Sequence, residues 1–266
     1  MKKIIVVILL LSLSACARHE NKNTITVGTI AGPETELMQV AKKVALKQFH
    51  LNIRIVAFND YVLPNQALHD GEIDANAFQH QAYLNAQNRL QNFKLIAVAK
   101  TFLYPMALYS KKIKNLSQLK MGNTIAIPND PSNEARALLL LQSAHCITIN
   151  PHATLPTTSD ITDNPKKLKF LELDGASLPR TLTDVTAAAI NTTFAKPAGL
   201  KLGESVFIEN THSPYTNLIV TTPEKAHSKK IKELIRSFQS QAVINKAKQL
   251  FGSMAIAGFK SPIRKV

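Results

Sequence analysis

The chain has 266 residues, two cysteines and a net charge of +14, from 32 Lys and Arg against 18 Asp and Glu. Two cysteines exclude a disulfide-dense scaffold, and a chain of this length buries an adequate core without staples. The basic excess gathers in residues 221–266, with ten Lys or Arg against Glu224 and Glu233 only; it lacks interleaved aromatics and follows an export signal, so it reads as a solvated helix face near anionic headgroups, with no nucleic-acid partner.

That signal comes first. Lys2 and Lys3 precede an unbroken apolar run over residues 4–11, and Leu13-Ser14-Ala15 leads into Cys16. The layout is a secretory signal over 1–15, too short to span a bilayer and stop there. Its ending matches a bacterial lipobox, in which Cys16 is acylated and becomes the new N-terminus. Residues 16–23 then form the lipidated cysteine and a polar, flexible tether. The mature chain is expected to be anchored to a membrane of the bacterial envelope, facing the periplasm, without spanning it. Ala17 after the cysteine, rather than Asp, leans toward the outer membrane. With Cys16 acylated, Cys146 has no intrachain partner.

After the tether, strands and helices alternate. Residues 25–30 read as a strand, 33–49 as a helix opened by Pro33, and 52–58 as a strand with Ile53, Ile55 and Ala57 on one face. A short helix over 61–70 follows, then a strand ending at Phe78, a helix through Leu90 and a strand over 95–99. The pattern restarts with a strand at 124–128 and a helix over 131–145. Strands at 168–173, 186–191, 206–209 and 218–221 come next, and one long helix over 224–250 closes the chain. This is an α/β fold of βαβ units, each lobe a mainly parallel sheet flanked by helices. The segments 104–109 and 215–220 read as crossovers, which inserts one lobe into the other. The expected division is lobe 1 over 24–107 plus 217–266 and lobe 2 over 108–216, with a hinge near 104–110 and 211–220. Ligands of such sheets sit at the carboxyl ends of strands, here in the cleft between lobes.

No catalytic motif is present: no G-x-S-x-G, P-loop, G-x-G-x-x-G or H-E-x-x-H. The eight histidines fall at no metal-ligand spacing. The expectation is therefore a binding protein, not an enzyme, with no cofactor and no metal.

Three groups of residues suit a small amphoteric ligand. In "PNDPSNEAR" (128–136), Asp130 is an N-cap and Pro131 fits the first turn. Arg136 then takes a carboxylate bidentately, reinforced by the helix N-terminal amides, although alone it reads as a surface Arg. Tyr61, Phe78, His80 and Tyr83 fall near strand ends of the first lobe and can wall an apolar slot suited to a thioether. The plain alternative for each ring is core packing, and Phe78 alone favours it. His80 has no visible nucleophile beside it and reads as a hydrogen-bonding wall residue. Asn191 and Asn217 end or interrupt apolar strands, where an Asn meets an ammonium through its oxygen and a carboxylate through its nitrogen, or simply caps a turn.

With "FNDYVLPNQAL", "GEIDANAFQHQAYL", "YPMALYSKKIKNL", "IAIPNDPSNEARALLLLQ", "LPRTL", "INTTFA" and "SPYTNLIV" on the page, the chain resembles the NlpA-type methionine-binding lipoproteins, receptors of bacterial methionine ABC importers. The resemblance covers essentially the whole mature chain. It implies a two-lobed periplasmic-binding fold of type II that closes on its ligand and docks on a membrane permease complex as a monomer. It also implies that Tyr61, Phe78, His80 and Tyr83 surround a methionine side chain, that Arg136 takes the carboxylate, and that Asn191 and Asn217 orient the amino-acid end. Departures from the family pattern are Ala82 in place of Pro, Phe194 in place of Tyr, a segment before Asn191 about two residues short, and a loose "GTIAGPETELM" turn. The alternatives are a methionine dipeptide, methionine sulfoxide or another apolar amino acid in the same fold, and, in another class, a surface lipoprotein with an interaction role and no transport function.

Overall fold

The computed structural model describes residues 23–210, 212–252 and 255–260. The expected signal, Cys16 and the tether up to Lys22 lie outside them. The chain opens with β1 (Thr24–Ile30), α1 (Pro33–Phe49), β2 (Asn52–Phe58), α2 (Leu63–His69), β3 (Ala75–His80), α3 (Gln81–Gln91) and β4 (Ile96–Lys100). A short β5 (Phe102–Leu103) leads to β6 (Met106–Tyr109), β7 (Thr124–Pro128), α4 (Pro131–Ser143), β8 (Thr148–Ile149), β9 (Ile161–Asp163) and β10 (Lys169–Leu173). Then come β11 (Ala187–Asn191), the single turn α5 (Thr192–Ala195), β12 (Phe207–Ile208), β13 (Asn217–Thr221), α6 (Lys229–Phe238), α7 (Gln241–Phe251) and β14 (Ile256–Ala257).

Two five-stranded sheets carry the two lobes, in the orders β2-β1-β3-β13-β4 and β10-β7-β11-β6-β12. Within each, four strands share one direction, as right-handed βαβ crossovers require. The fifth, β13 in one sheet and β6 in the other, runs antiparallel to both neighbours. These two are the crossover strands, so the polypeptide passes between lobes where strand order reverses. β6 pairs in the second sheet from Met106 onward, so a division between residues 107 and 108 cuts a strand.

Sequence and core agree along α1. Gly32 holds φ at 117°, a backbone state that favours glycine, and Pro33 occupies the first turn. Leu37, Met38, Ala41 and Ala45 then bury one stripe against Ile231, Leu234 and Val243. The expected single helix over 224–250 is two helices. Ser228 caps α6 by accepting from the Ile231 N–H (3.3 Å), and Ser240, extended at φ −77° and ψ 157°, starts α7. The break at Gln239–Ser240 lets both helices lie against α1. A separate apolar cluster joins the lobes, with Ile30, Tyr61, Phe78 and Tyr83 from the first packed on Ala126, Leu178, Ile190 and Phe194 of the second. Cys146 is buried, and burial pushes its thiol up.

Candidate functional site

The seven expected residues come together. Tyr61, Phe78, His80, Tyr83, Arg136, Asn191 and Asn217 line one pocket, with Gln79, Tyr104, Asn133, Thr192 and Thr193.

The first lobe supplies the aromatic end. Asp60 Oδ1 accepts from the Val62 and Leu63 N–H groups (2.8 and 3.0 Å), turning the chain after β2 and setting Tyr61. Phe78 and His80 sit two apart on β3, whose six residues are all buried. The ring centroids of Tyr61, Phe78 and Tyr83 are 5.7–5.8 Å apart, and Phe194 crosses from the second lobe to 4.7 Å from Tyr61. A Cβ at Gly175 would stand 3.1 Å from Phe194, so this glycine is what lets the Phe194 ring lie where it does. The Tyr83 hydroxyl donates to the Tyr61 carbonyl (2.7 Å) and fixes that corner. Beneath β3, the side-chain amides of Asn65, Asn76 and Gln79 hydrogen-bond one another in a buried cluster. A satisfied polar network of this kind rigidifies its surroundings.

His80 ends β3 and caps α3. Its Nδ1 accepts from the Tyr83 N–H (3.2 Å), which places the ring proton on Nε2, 3.4 Å from Asn133 Oδ1. Burial, and next the Arg136 charge, push His80 down to about 3. It is a neutral donor and wall residue with no nucleophile beside it.

The second lobe supplies the polar end. Asp130 caps α4 and holds Asn133 through both the backbone N–H (3.0 Å) and the side-chain amide. The helix N-terminus is thus satisfied from within, rather than left open for a ligand anion. Asn133 Oδ1 in turn accepts from Asn191 Nδ2 (2.9 Å). Asn191 Oδ1 is buried with no partner among the described residues. Asn217, at the start of β13, donates to the Phe78 carbonyl (2.9 Å).

Arg136 differs most from expectation. It is 3% exposed and does take a carboxylate through two nitrogens, but the carboxylate is the protein's own. Nε donates to Glu209 Oε1 (2.9 Å), and Nη2 to Glu209 Oε2 (2.6 Å) and the Tyr104 carbonyl (2.9 Å). The Tyr215 ring stacks 4.5 Å from the guanidinium carbon. Tyr104 and Tyr215 lie on the crossover segments and Glu209 directly follows β12, ahead of the second of them, so Arg136 is keyed to the hinge. The pair leaves the polar end close to neutral, which suits a zwitterion better than a simple anion. Glu209, Asn133, Tyr104, Thr192 and Thr193 were not among the residues the sequence singled out. Asn133, Tyr104, Thr192 and Thr193 lie inside the quoted motifs without being picked out, and Glu209 lies in none of them. No group of three or more His, Cys, Asp or Glu placed to hold a metal occurs among the described residues.

Comparison with known proteins fits this geometry. The NlpA lipoprotein family matches over residues 25–259. The chain is 45% identical over 254 residues to the D-methionine-binding lipoprotein MetQ of Salmonella typhi, covering 94% of each. It is 44% identical to outer membrane lipoprotein 3 of Mannheimia haemolytica, over 96% of this chain and 97% of that one. A nutrient-binding protein of Burkholderia cenocepacia, solved bound to methionine, superposes with a TM-score of 0.87 at 44% identity, over 88% of this chain and all of that one. The chain belongs to the NlpA lipoprotein family.

Proposed function

We propose that the protein is a solute receptor of the bacterial envelope that captures methionine, as L-methionine or a close derivative, and delivers it to an ABC-type importer. The observation that carries this reading is one cavity with two chemically distinct ends. Tyr61, Phe78, Tyr83 and Phe194 make an aromatic slot in which a thioether gains roughly 0.3–1.5 kcal/mol per ring contact. Opposite them, Arg136 presents its guanidinium and Asn191 Oδ1 an unused buried acceptor. An α-carboxylate and an α-ammonium satisfy one each, with Asn217 beside them and His80 as the polar wall. One relative is named for D-methionine binding and another was solved bound to methionine, which supports a methionine ligand.

The mechanism is binding, not catalysis. Phe194 against Tyr61, and Asn133 against His80, bridge the lobes, so the arrangement is the closed form a permease would recognise. The protein acts as a monomer held to the membrane through acylated Cys16.

Thermal unfolding of residues 22–266, first denatured and refolded to strip bound ligand, tests the reading. L-methionine at a hundred times its Kd adds roughly 2.7 kcal/mol, or about 5–10 °C for this chain length. A dye or calorimetry reads it, since the chain has no tryptophan. A shift with the dipeptide or sulfoxide in place of methionine changes the ligand and keeps the fold. No shift with any of them, or with other amino acids, removes the receptor assignment.

A further inference from the structure

Glu34 is an ionisable group that the site as described does not use. It is the second residue of α1 and 5% exposed. Its Oε1 accepts from the Thr193 hydroxyl of α5, which belongs to the opposite lobe. Its Oε2 is buried with no partner among the described residues. Gly32, just before α1, faces the same part of the opposite lobe, since a Cβ on it would stand 2.9 Å from the Pro197 ring.

The groups facing Glu34 are all uncharged. Tyr61 and Tyr104 present phenols that burial holds above their ordinary range, and Thr193 presents its hydroxyl. The cations nearby in sequence are turned elsewhere. Lys246 of α7 pairs with Glu36 (2.9 Å), and Lys196 donates to the Leu250 carbonyl (2.6 Å) over the Phe251 ring. Arg136 is occupied by Glu209. A carboxylate held by one hydroxyl and its own helix amide, with one oxygen orphaned and no cation, is far less costly to bury as the neutral acid.

We propose that Glu34 is a proton-binding site coupled to cleft closure: it takes up a proton as the lobes close on methionine and offsets the proton that His80 releases, so that capture is insensitive to the pH of the surroundings. The inference rests on the methionine reading above. Closure buries Glu34 between lobes, and burial raises it from its ordinary 4.5 to about 7, against the Thr193 bond and the helix amide. Opening separates Thr193 from it and admits water. A group raised on closing favours the closed form increasingly as pH falls from 7 to 4.5. Burial and the Arg136 charge hold His80 at about 3 in the closed form, so it opposes closure increasingly as pH falls below its ordinary 6.5. Between about pH 4.5 and 6.5 the two act together with opposite signs, each by up to about tenfold per pH unit.

The test compares Kd for L-methionine at pH 5 and pH 8 in the wild type and in Glu34→Gln, which keeps the shape and removes the titration. Glu34→Met, apolar and of similar length, is a second variant, and circular dichroism confirms that each is folded. Wild-type affinity is expected to change by less than about fivefold, whereas either variant loses about tenfold or more at pH 5, because His80 then acts alone. Calorimetry at pH 5.5 in two buffers of different ionisation heat gives the proton count. Each variant releases close to one proton more per methionine bound than the wild type does. A wild type that weakens as steeply as the variants, or variants as flat as the wild type, overturns the proposal. A wild type that binds methionine at neither pH overturns the receptor reading, and this one with it.

Discussion

Replacing Arg136 with alanine lowers methionine affinity by about thirtyfold or more and also weakens the unliganded fold. Two effects combine, and they are separable. The ligand carboxylate loses its only charged donor, a truncation that costs about 2–5 kcal/mol for a buried charge pair. Glu209, whose side chain is 11% exposed, loses its counter-charge, and breaking a buried pair from one side costs about 3–5 kcal/mol. The lower end applies to Glu209, because the Met106 N–H and the Ser213 hydroxyl still donate to it (both 3.0 Å). The double variant Arg136→Ala/Glu209→Ala removes the stranded carboxylate. It should recover most of the lost stability in thermal unfolding while calorimetry still finds weak binding. Near-normal affinity in that double variant would defeat the carboxylate assignment. Arg136→Lys should fall between the two, since an ammonium keeps the charge but cannot hold Glu209, Tyr104 and a ligand at once.

What the sequence made legible divides along physical lines. α1, β2 and β7 begin and end where local chemistry says they should: Gly32-Pro33 opens a helix, and short apolar runs bounded by polar residues make strands. The seven candidate residues were legible because each sits in a motif of the family the chain resembles, and the fold places them around one pocket. The chain break at Gln239–Ser240 was not legible, because "SFQSQA" lacks Gly or Pro and continues the helical periodicity across a cap. Only packing of two separate helices on α1 decides it. Glu209 and Glu34 were not legible either. Each is a single acidic residue whose partner lies far along the chain, Arg136 for one and Thr193 for the other. No spacing rule marks such a pair. The same holds for the buried Asn65, Asn76 and Gln79 cluster, since three amides in polar company look like surface until α2 is laid across β3.

Asn191→Leu should leave the unliganded protein as stable as the wild type while weakening methionine binding by about 2–4 kcal/mol. The asymmetry follows from what each end of the amide does. Nδ2 donates to Asn133, a bond worth about 1 kcal/mol net and partly replaceable by His80 Nε2 on the same oxygen. Oδ1 does nothing for the fold, since it is buried without a protein partner when the cleft is closed, and water reaches it when the cleft opens. Leucine branches at the same atom and removes that orphaned acceptor, and its bulkier methyl groups can extend into the pocket, so the unliganded Tm should move by no more than a few degrees. A bound ammonium then meets a methyl group where it needs an oxygen, and an unpaired buried charge is costly. The decisive measurement compares methionine with its analogue lacking the amino group. The wild type should prefer methionine strongly, and the variant should bind the two almost equally, because the group that told them apart has gone. A variant that keeps the full preference would place the ammonium elsewhere, with Asn217 next to be tested. A variant that loses stability without losing the preference would make Asn191 a structural residue of β11.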